Sequence, residues 1–212
     1  MQTGNLRIYL EERERSKMLH FIGVYDYTVI LTYLSLFSAV TGMIYAAREN
    51  FAIAILCVFI SGFCDAFDGI VARSKKNRTE DEKAFGIQLD SLVDVVSFGV
   101  VPAFICYQMG VRGVIGLICV FAYSMCAVAR LAFFNVQETK RQQVESGSNK
   151  FYRGLPVTSI SMIFPVVYLL RNLVSPAAFT VVLYIMLAVT GFLFVFDFQV
   201  KKLDFMKLFR RK

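Results

Sequence analysis

Four aspartates stand in stretches of otherwise apolar sequence, Asp65 and Asp68 in one and Asp90 and Asp94 in the next. Spacings of three and four residues put each pair on one face of a helix. Carboxylates are hard oxygen donors, suited to magnesium, manganese or calcium rather than to zinc. Four of them around one cavity would repel one another without a cation, and some would take up protons. A divalent cation near a basic loop points to phosphate chemistry, in which it neutralises charge developing on phosphoryl oxygens. An aspartate at the centre of a membrane span costs about 2.5–3.5 kcal/mol, less toward its ends. A single one is explained equally well as a cap or an interhelical hydrogen bond. Four at one depth argue for function.

The elements that must position them follow from composition. Of the 212 residues, 57% are hydrophobic and 18% charged, and the mean hydropathy is +0.57. A soluble domain is typically about 45–50% apolar and about 25% charged, so an ordinary soluble fold and a disordered chain are both excluded. The apolar residues fall in blocks running roughly from Phe21 to Ala47, Phe51 to Ala72, Phe85 to Tyr107, Gly113 to Val136, Leu155 to Leu170 and Ala177 to Phe198. A helix needs about 20 residues to cross a bilayer core. The expectation is an all-α, polytopic membrane protein of six transmembrane helices, forming a single domain over residues 1–212. A short cytoplasmic amphipathic helix within residues 1–20 precedes them, and a basic cytoplasmic tail, 199–212, follows. No apolar core with a cleavage site opens the chain, so a retained N-terminus is expected.

Basic residues set the expected orientation. Six spans put both termini on one side, together with the Arg73–Phe85 and Lys140–Arg153 connections. That side collects nineteen lysines and arginines, against Arg48, Arg112 and Arg171 on the other; Arg130 lies inside a span. Excess Lys and Arg marks the cytoplasmic face, so the termini and the aspartates are expected there. The net charge of +7 is thereby assigned to cytoplasmic loops and anionic lipid, not to nucleic acid. The five cysteines all lie in apolar blocks without a CxxC pair, which suggests packing residues and neither a disulfide framework nor a zinc site. The second and third spans share the short basic loop, so they form an antiparallel hairpin that brings the two aspartate pairs to one depth. Gly69 and Ala72 continue the stripe of Asp65, and Gly86 and Ser97 that of Asp90, leaving room for a helix or a ligand.

The pattern Asp65-x-x-Asp68-Gly69-x-x-Ala72-Arg73, then Gly86-x-x-x-Asp90-x-x-x-Asp94, resembles the signature of the CDP-alcohol phosphatidyltransferases at all eight motif positions. Phe85 to Gly99, Ala129 to Val136 and Gly154-Leu155-Pro156 resemble the branch of that family whose acceptor is serine. The likeness covers the second span to the start of the fifth; the first span and the last two are alike in hydropathy alone. There are departures. Twelve residues separate Arg73 from Gly86, more than is usual in the family, and their polar character suits a loop insertion. Tyr25 to Thr28 and Thr32 to Ser35 stand where a Pro-Asn opening and a later asparagine are expected. Val157-Thr158 replaces the usual continuation after Gly-Leu-Pro.

The resemblance implies an enzyme in which an alcohol attacks the β-phosphorus of CDP-diacylglycerol and CMP leaves; L-serine is the implied acceptor. It assigns Asp65, Asp68, Asp90 and Asp94 to one or two Mg2+ or Mn2+ ions, with Ca2+ able to occupy the site, and Asp94 to the acceptor's proton. Asp65, Gly69, Ala72, Arg73 and Gly86 would bind the CDP-lipid. Ser97, Arg130 and Asn135 are candidate acceptor contacts. Arg130 is the best carboxylate partner because guanidinium and carboxylate match as a fork; a salt bridge to an aspartate is its alternative, and for Ser97 and Asn135 a helix–helix hydrogen bond is the first reading and an acceptor contact the second. A homodimer in the plasma membrane is also implied. Two other readings stay open: the same chemistry on inositol phosphate or glycerol phosphate, and a cation channel or transporter lined by the carboxylates.

Overall fold

The computed structural model describes residues 23, 25–75, 79–144 and 151–201. Its first helix, α1 (Ile30–Ala47), begins nine residues later than the start of the apolar block. The reason is local. Asp26 accepts hydrogen bonds from the Thr28 amide at 2.9 Å and from the Thr28 hydroxyl, an aspartate turn that competes with helix. The expected N-terminal helix and the tail beyond residue 201 lie outside the described residues.

α1 turns into α2 (Phe51–Ser74) through Glu49, whose φ is +60°, and Asn50, which accepts from the Ile53 amide. The two helices pack through small residues, since a Cβ on Gly42 would meet the Ala54 carbonyl oxygen and Cys57 Cβ at 3.1 Å. Hydroxyls join them at depth: Ser35 and Ser61 lie 2.7 Å apart, and Ser38 donates to the Cys57 carbonyl at 2.8 Å. Small residues and serine bonds are how helices associate where water offers no driving force.

The link from α2 to α3 (Glu80–Asp94) is shorter than the polar loop expected between Arg73 and Phe85. Thr79 and Glu82 form a reciprocal capping box, with Thr79 Oγ1 accepting from the Glu82 amide and Glu82 from the Thr79 amide, each at 3.1 Å. Three acidic residues follow in the first turn, where the helix dipole favours them. Helix therefore begins five residues ahead of the apolar block. After Asp94 the helix widens into a π turn, Val95–Val100, and continues as α4 (Val101–Gln108). Then come α5 (Gly113–Val144), α6 (Ile160–Leu169) with 3-10 turns on either side, and α7 (Pro176–Val195). A feature no apolar pattern announced joins the ends of this array: β1 (Phe151–Arg153) pairs antiparallel with β2 (Gln199–Lys201).

Among the described residues, five helical segments are long and apolar enough to cross a bilayer: Ile30–Ala47, Phe51–Ala72, Glu80–Gln108, Gly113–Gln137 and Pro176–Val195. The protein is a helical, multi-pass membrane protein. The block expected from Leu155 to Leu170 gives a shorter apolar helix, Val157–Asn172, with Pro165 inside it. Its packing is tight, for a methyl group on Gly62 of α2 would overlap the Ser161 side chain. Phe98, Tyr123, Phe164, Leu187 and Phe194 form the centre of the core. Val114, Ile115 and Leu173 are 75–78% exposed, as lipid-facing side chains are.

Candidate active site

α2 and α3 meet at the four aspartates. Fourteen residues separate Asp65 from the α2 start at Phe51, and fourteen separate Asp94 from the α4 end at Gln108. At 1.5 Å per residue both lie about 21 Å from the far end of the hairpin, which is why they share a depth. Carboxylate oxygens of Asp65, Asp68 and Asp90 all fall within 4.8 Å of one another. Asp94, only 7% exposed, lies close to Asp65, as Asp90 does to Asp68. Acidic groups this close need a proton or a cation between them. Three oxygens with a fourth carboxyl behind fit a hard divalent ion.

A second helix face contributes a donor. Thr32 of α1, buried, gives its hydroxyl to Asp68 Oδ2 at 3.2 Å. It stands in the stretch where an asparagine was expected, and its hydroxyl supplies a donor there. Beside it opens a cleft of about 130 Å³ whose lining includes Thr28, Gly69, Ala72, Lys83, Gly86 and Asp90. The three small residues leave backbone on the wall, and Lys83, Gly86, Ile87 and Asp90 follow one α3 face at helical spacing.

An ion cluster ties the three helix ends around this cleft. Lys75, after α2, donates to Asp26 at 2.8 Å and to Glu82 at 2.9 Å. The Lys75 hydrogen bond, with the Thr28 hydroxyl second, holds the Asp26 carboxyl well below the usual range, at about 2. Asp26 and then Glu82 push the Lys75 ammonium upward in turn. Asp26, Thr32 and Lys83 stand at the site outside every motif of the sequence; the one local signal is the i, i+2 spacing of Asp26 to Thr28.

Other expected residues divide. Gly69, Ala72 and Gly86 line the cleft; Arg73 occupies the last turn of α2, and its side chain lies outside the described residues. Asn135 accepts from Ser91 at 2.7 Å, joining α5 to α3. Ser97 is fully buried, and its hydroxyl has no hydrogen-bond partner among the described residues. Arg130 is 8% exposed. Its height follows from its neighbours on α5: Ser124 bonds the Gly99 carbonyl and Asn135 bonds Ser91, so Arg130 lies near the level of Asp94. Its guanidinium rests 5.9 Å over the Phe134 ring. Gly154, at φ +70°, packs against it: a Cβ there would lie 3.6 Å from Arg130 Nε and 3.1–3.2 Å from the Phe194 and Phe196 carbonyls. Asp197 acts on it electrostatically.

A family model described as CDP-alcohol phosphatidyltransferase matches residues 27–201. The CDP-diacylglycerol–serine O-phosphatidyltransferase of Bacillus subtilis is 38% identical over 94 residues, 43% of this chain and 51% of that protein. The protein of that name from Saccharomyces cerevisiae is 29% identical over 180 residues, 79% of this chain and 62% of the relative. The Helicobacter pylori protein of that name (strain 26695) is 30% identical over 151 residues, 70% of this chain and 60% of the relative. The chain thus spans about half to three-fifths of the length of these relatives.

Proposed function

Because the chain belongs to the CDP-alcohol phosphatidyltransferase family, we propose that it transfers the phosphatidyl group of CDP-diacylglycerol to L-serine, giving phosphatidylserine and CMP. The observation that carries this reading is the convergence of Asp65, Asp68 and Asp90 within 4.8 Å, beside a cleft walled by the small residues of the motif. The names of the relatives support serine as the acceptor.

Asp65, Asp68 and Asp90, with Asp94 behind, would hold one or two divalent cations, Mg2+ or Mn2+; the same oxygens would take Ca2+. Such an ion, when bound, supplies charge neutralisation at the phosphoryl oxygens as the leaving group departs. Gly69, Ala72 and Gly86 admit the cytidine, and Arg73 pairs with substrate phosphate. The serine hydroxyl oxygen forms the new bond to the β-phosphorus, the bond to CMP breaks with its electron pair leaving on CMP, and Asp94 takes the hydroxyl proton. Arg130 faces the acceptor carboxylate as a fork. Ser97 offers a buried hydroxyl that the described protein groups leave unsatisfied, and such a group is costly without a partner. Asn135 keeps its bond to Ser91 on the acceptor side of the site.

We place the protein in the plasma membrane, and the nineteen-to-three basic asymmetry supports a cytoplasmic site and cytoplasmic termini. We count Val157–Asn172 as the sixth crossing, since it follows Leu155, which is bonded to the Leu193 carbonyl, and leads to α7, whose Thr180 abuts Gly110 at the opposite end. The family resemblance supports a homodimer. Purified protein with CDP-diacylglycerol, a divalent cation and labelled serine, inositol phosphate or glycerol phosphate tests the reading. Phosphatidylserine with CMP is expected. Product with another alcohol would reassign the acceptor, and no CMP release from any would overturn the activity.

A further inference from the structure

The π turn at Val95–Val100 directly follows Asp94, and its cause lies in the sequence. In an α-helix the Phe98 carbonyl would accept from the N–H of residue 102. That residue is Pro102, which has none. Val101 bonds back five residues to Val96, and the carbonyls released are taken up from α5. Tyr123 donates its hydroxyl to the Phe98 carbonyl at 2.7 Å, and Ser124 donates to the Gly99 carbonyl at 3.0 Å. Tyr123 is 2% exposed. Its ring packs 5.5 Å from that of Phe194, and α7 comes so close that a Cβ on Gly191 would lie 3.4 Å from Tyr123 Cα. Ring and hydroxyl therefore have one station.

One residue more per turn rotates a helix face by about 100°. Asp90 and Asp94 lie before the turn, while Val101, Ala103, Ile105 and Cys106, buried in the core, lie after it. The turn therefore sets the angle at which the aspartates face α2. We propose that Tyr123 is a positioning residue for the aspartate cluster: its hydroxyl replaces the donor that Pro102 lacks, holds the π turn, and keeps Asp94 turned toward Asp65. The consequence for transfer rests on the function proposed above; the consequence for geometry does not.

The geometric test uses an Asp65→Cys/Asp94→Cys pair in full-length protein whose five native cysteines are replaced by alanine. Side chains that face each other bind Cd2+ jointly, and Cd2+ then protects them from maleimide. Tyr123→Phe keeps the ring and removes the hydroxyl; the protecting Cd2+ concentration should rise about tenfold, the worth of one buried hydrogen bond. Phe194→Leu loosens the ring packing and keeps the hydroxyl; it should lower the thermal midpoint and leave Cd2+ protection unchanged. In the native-site enzyme, Tyr123→Phe should lower kcat with little change in KM for CDP-diacylglycerol. Unchanged protection in Tyr123→Phe overturns the proposal, as does equal loss in Phe194→Leu, which would make the effect one of packing. Should Tyr123→Phe fail to fold, Ser124→Ala decides: weaker protection supports the clasp, and none lost overturns it. A wild type without transferase activity would defeat the proposed function and leave the Cd2+ result standing.

Discussion

Thr32 reaches Asp68 across the α1–α2 interface, hydroxyl to carboxylate oxygen at 3.2 Å. The first helix therefore takes part in the site although it carries no acid of the cluster. A donor held against one carboxylate keeps that oxygen aimed.

Thr32→Val should preserve shape and remove the donor. We expect a several-fold rise in the Mg2+ concentration that half-saturates transfer, equivalent to about 1 kcal/mol. Metal titrations of wild type and variant check it, and superimposable curves would deny Thr32 a role.

Asp90→Asn and Asp94→Asn should each abolish phosphatidyl transfer, as should excess chelator on the wild type, because hard-cation sites depend on charged oxygens. CMP release by the purified, folded variants is the measurement. Near-normal turnover in either would remove that aspartate from the chemistry.

The ion cluster at the helix ends makes a pH prediction. The Asp26 carboxyl is depressed from 3.8 to about 2, so its contribution to stability is present above pH 3.8 and lost as pH falls through about 2. Thermal midpoints of wild type and Asp26→Asn should therefore differ by a constant amount near neutrality and converge between those two values. A gap that persists at pH 2 would mean that Asp26 acts through the Thr28 turn and not through its charge.

Arg130→Lys keeps the charge and loses the fork. If Arg130 holds the acceptor carboxylate, KM for serine should rise roughly ten- to a hundredfold, the worth of a charge-assisted hydrogen bond, with KM for CDP-diacylglycerol nearly unchanged. Altered metal dependence with an intact serine titration would instead mark Arg130 as a partner of the acidic cluster.

Legibility from sequence followed the range of the interaction. The aspartate hairpin was readable because both pairs obey helical spacing and the link between their spans is short. The start of α1 at Ile30 was not, since Asp26 and Thr28 stop the helix by a turn that hydropathy does not see. Glu80 to Phe85 read as a loop by polarity, yet the Thr79–Glu82 capping box makes helix of it; its Thr-x-x-Glu pattern was there to be used. Thr32, Tyr123 and the β1–β2 ladder act on partners at least 25 residues away in sequence, and only the folded chain names those partners. Asn135 was visible as a polar residue in a span, but its bond to Ser91 belongs to packing.

The hairpin's inner limbs have a consequence for biogenesis. Residues 51–64 and 95–108 carry no charged side chain, and each forms the half of its limb that lies beyond the carboxylates. A bilayer core is about 30 Å thick, so limbs reaching about 21 Å past the aspartates leave those acids within the shallow third of it. During insertion the hairpin can enter with its two uncharged halves leading, and the acidic residues come to rest before the midplane. With the site on the cytoplasmic face, as proposed above, none of the four has to be carried through the hydrocarbon, and an acidic centre inside a membrane is assembled without translocating an acid.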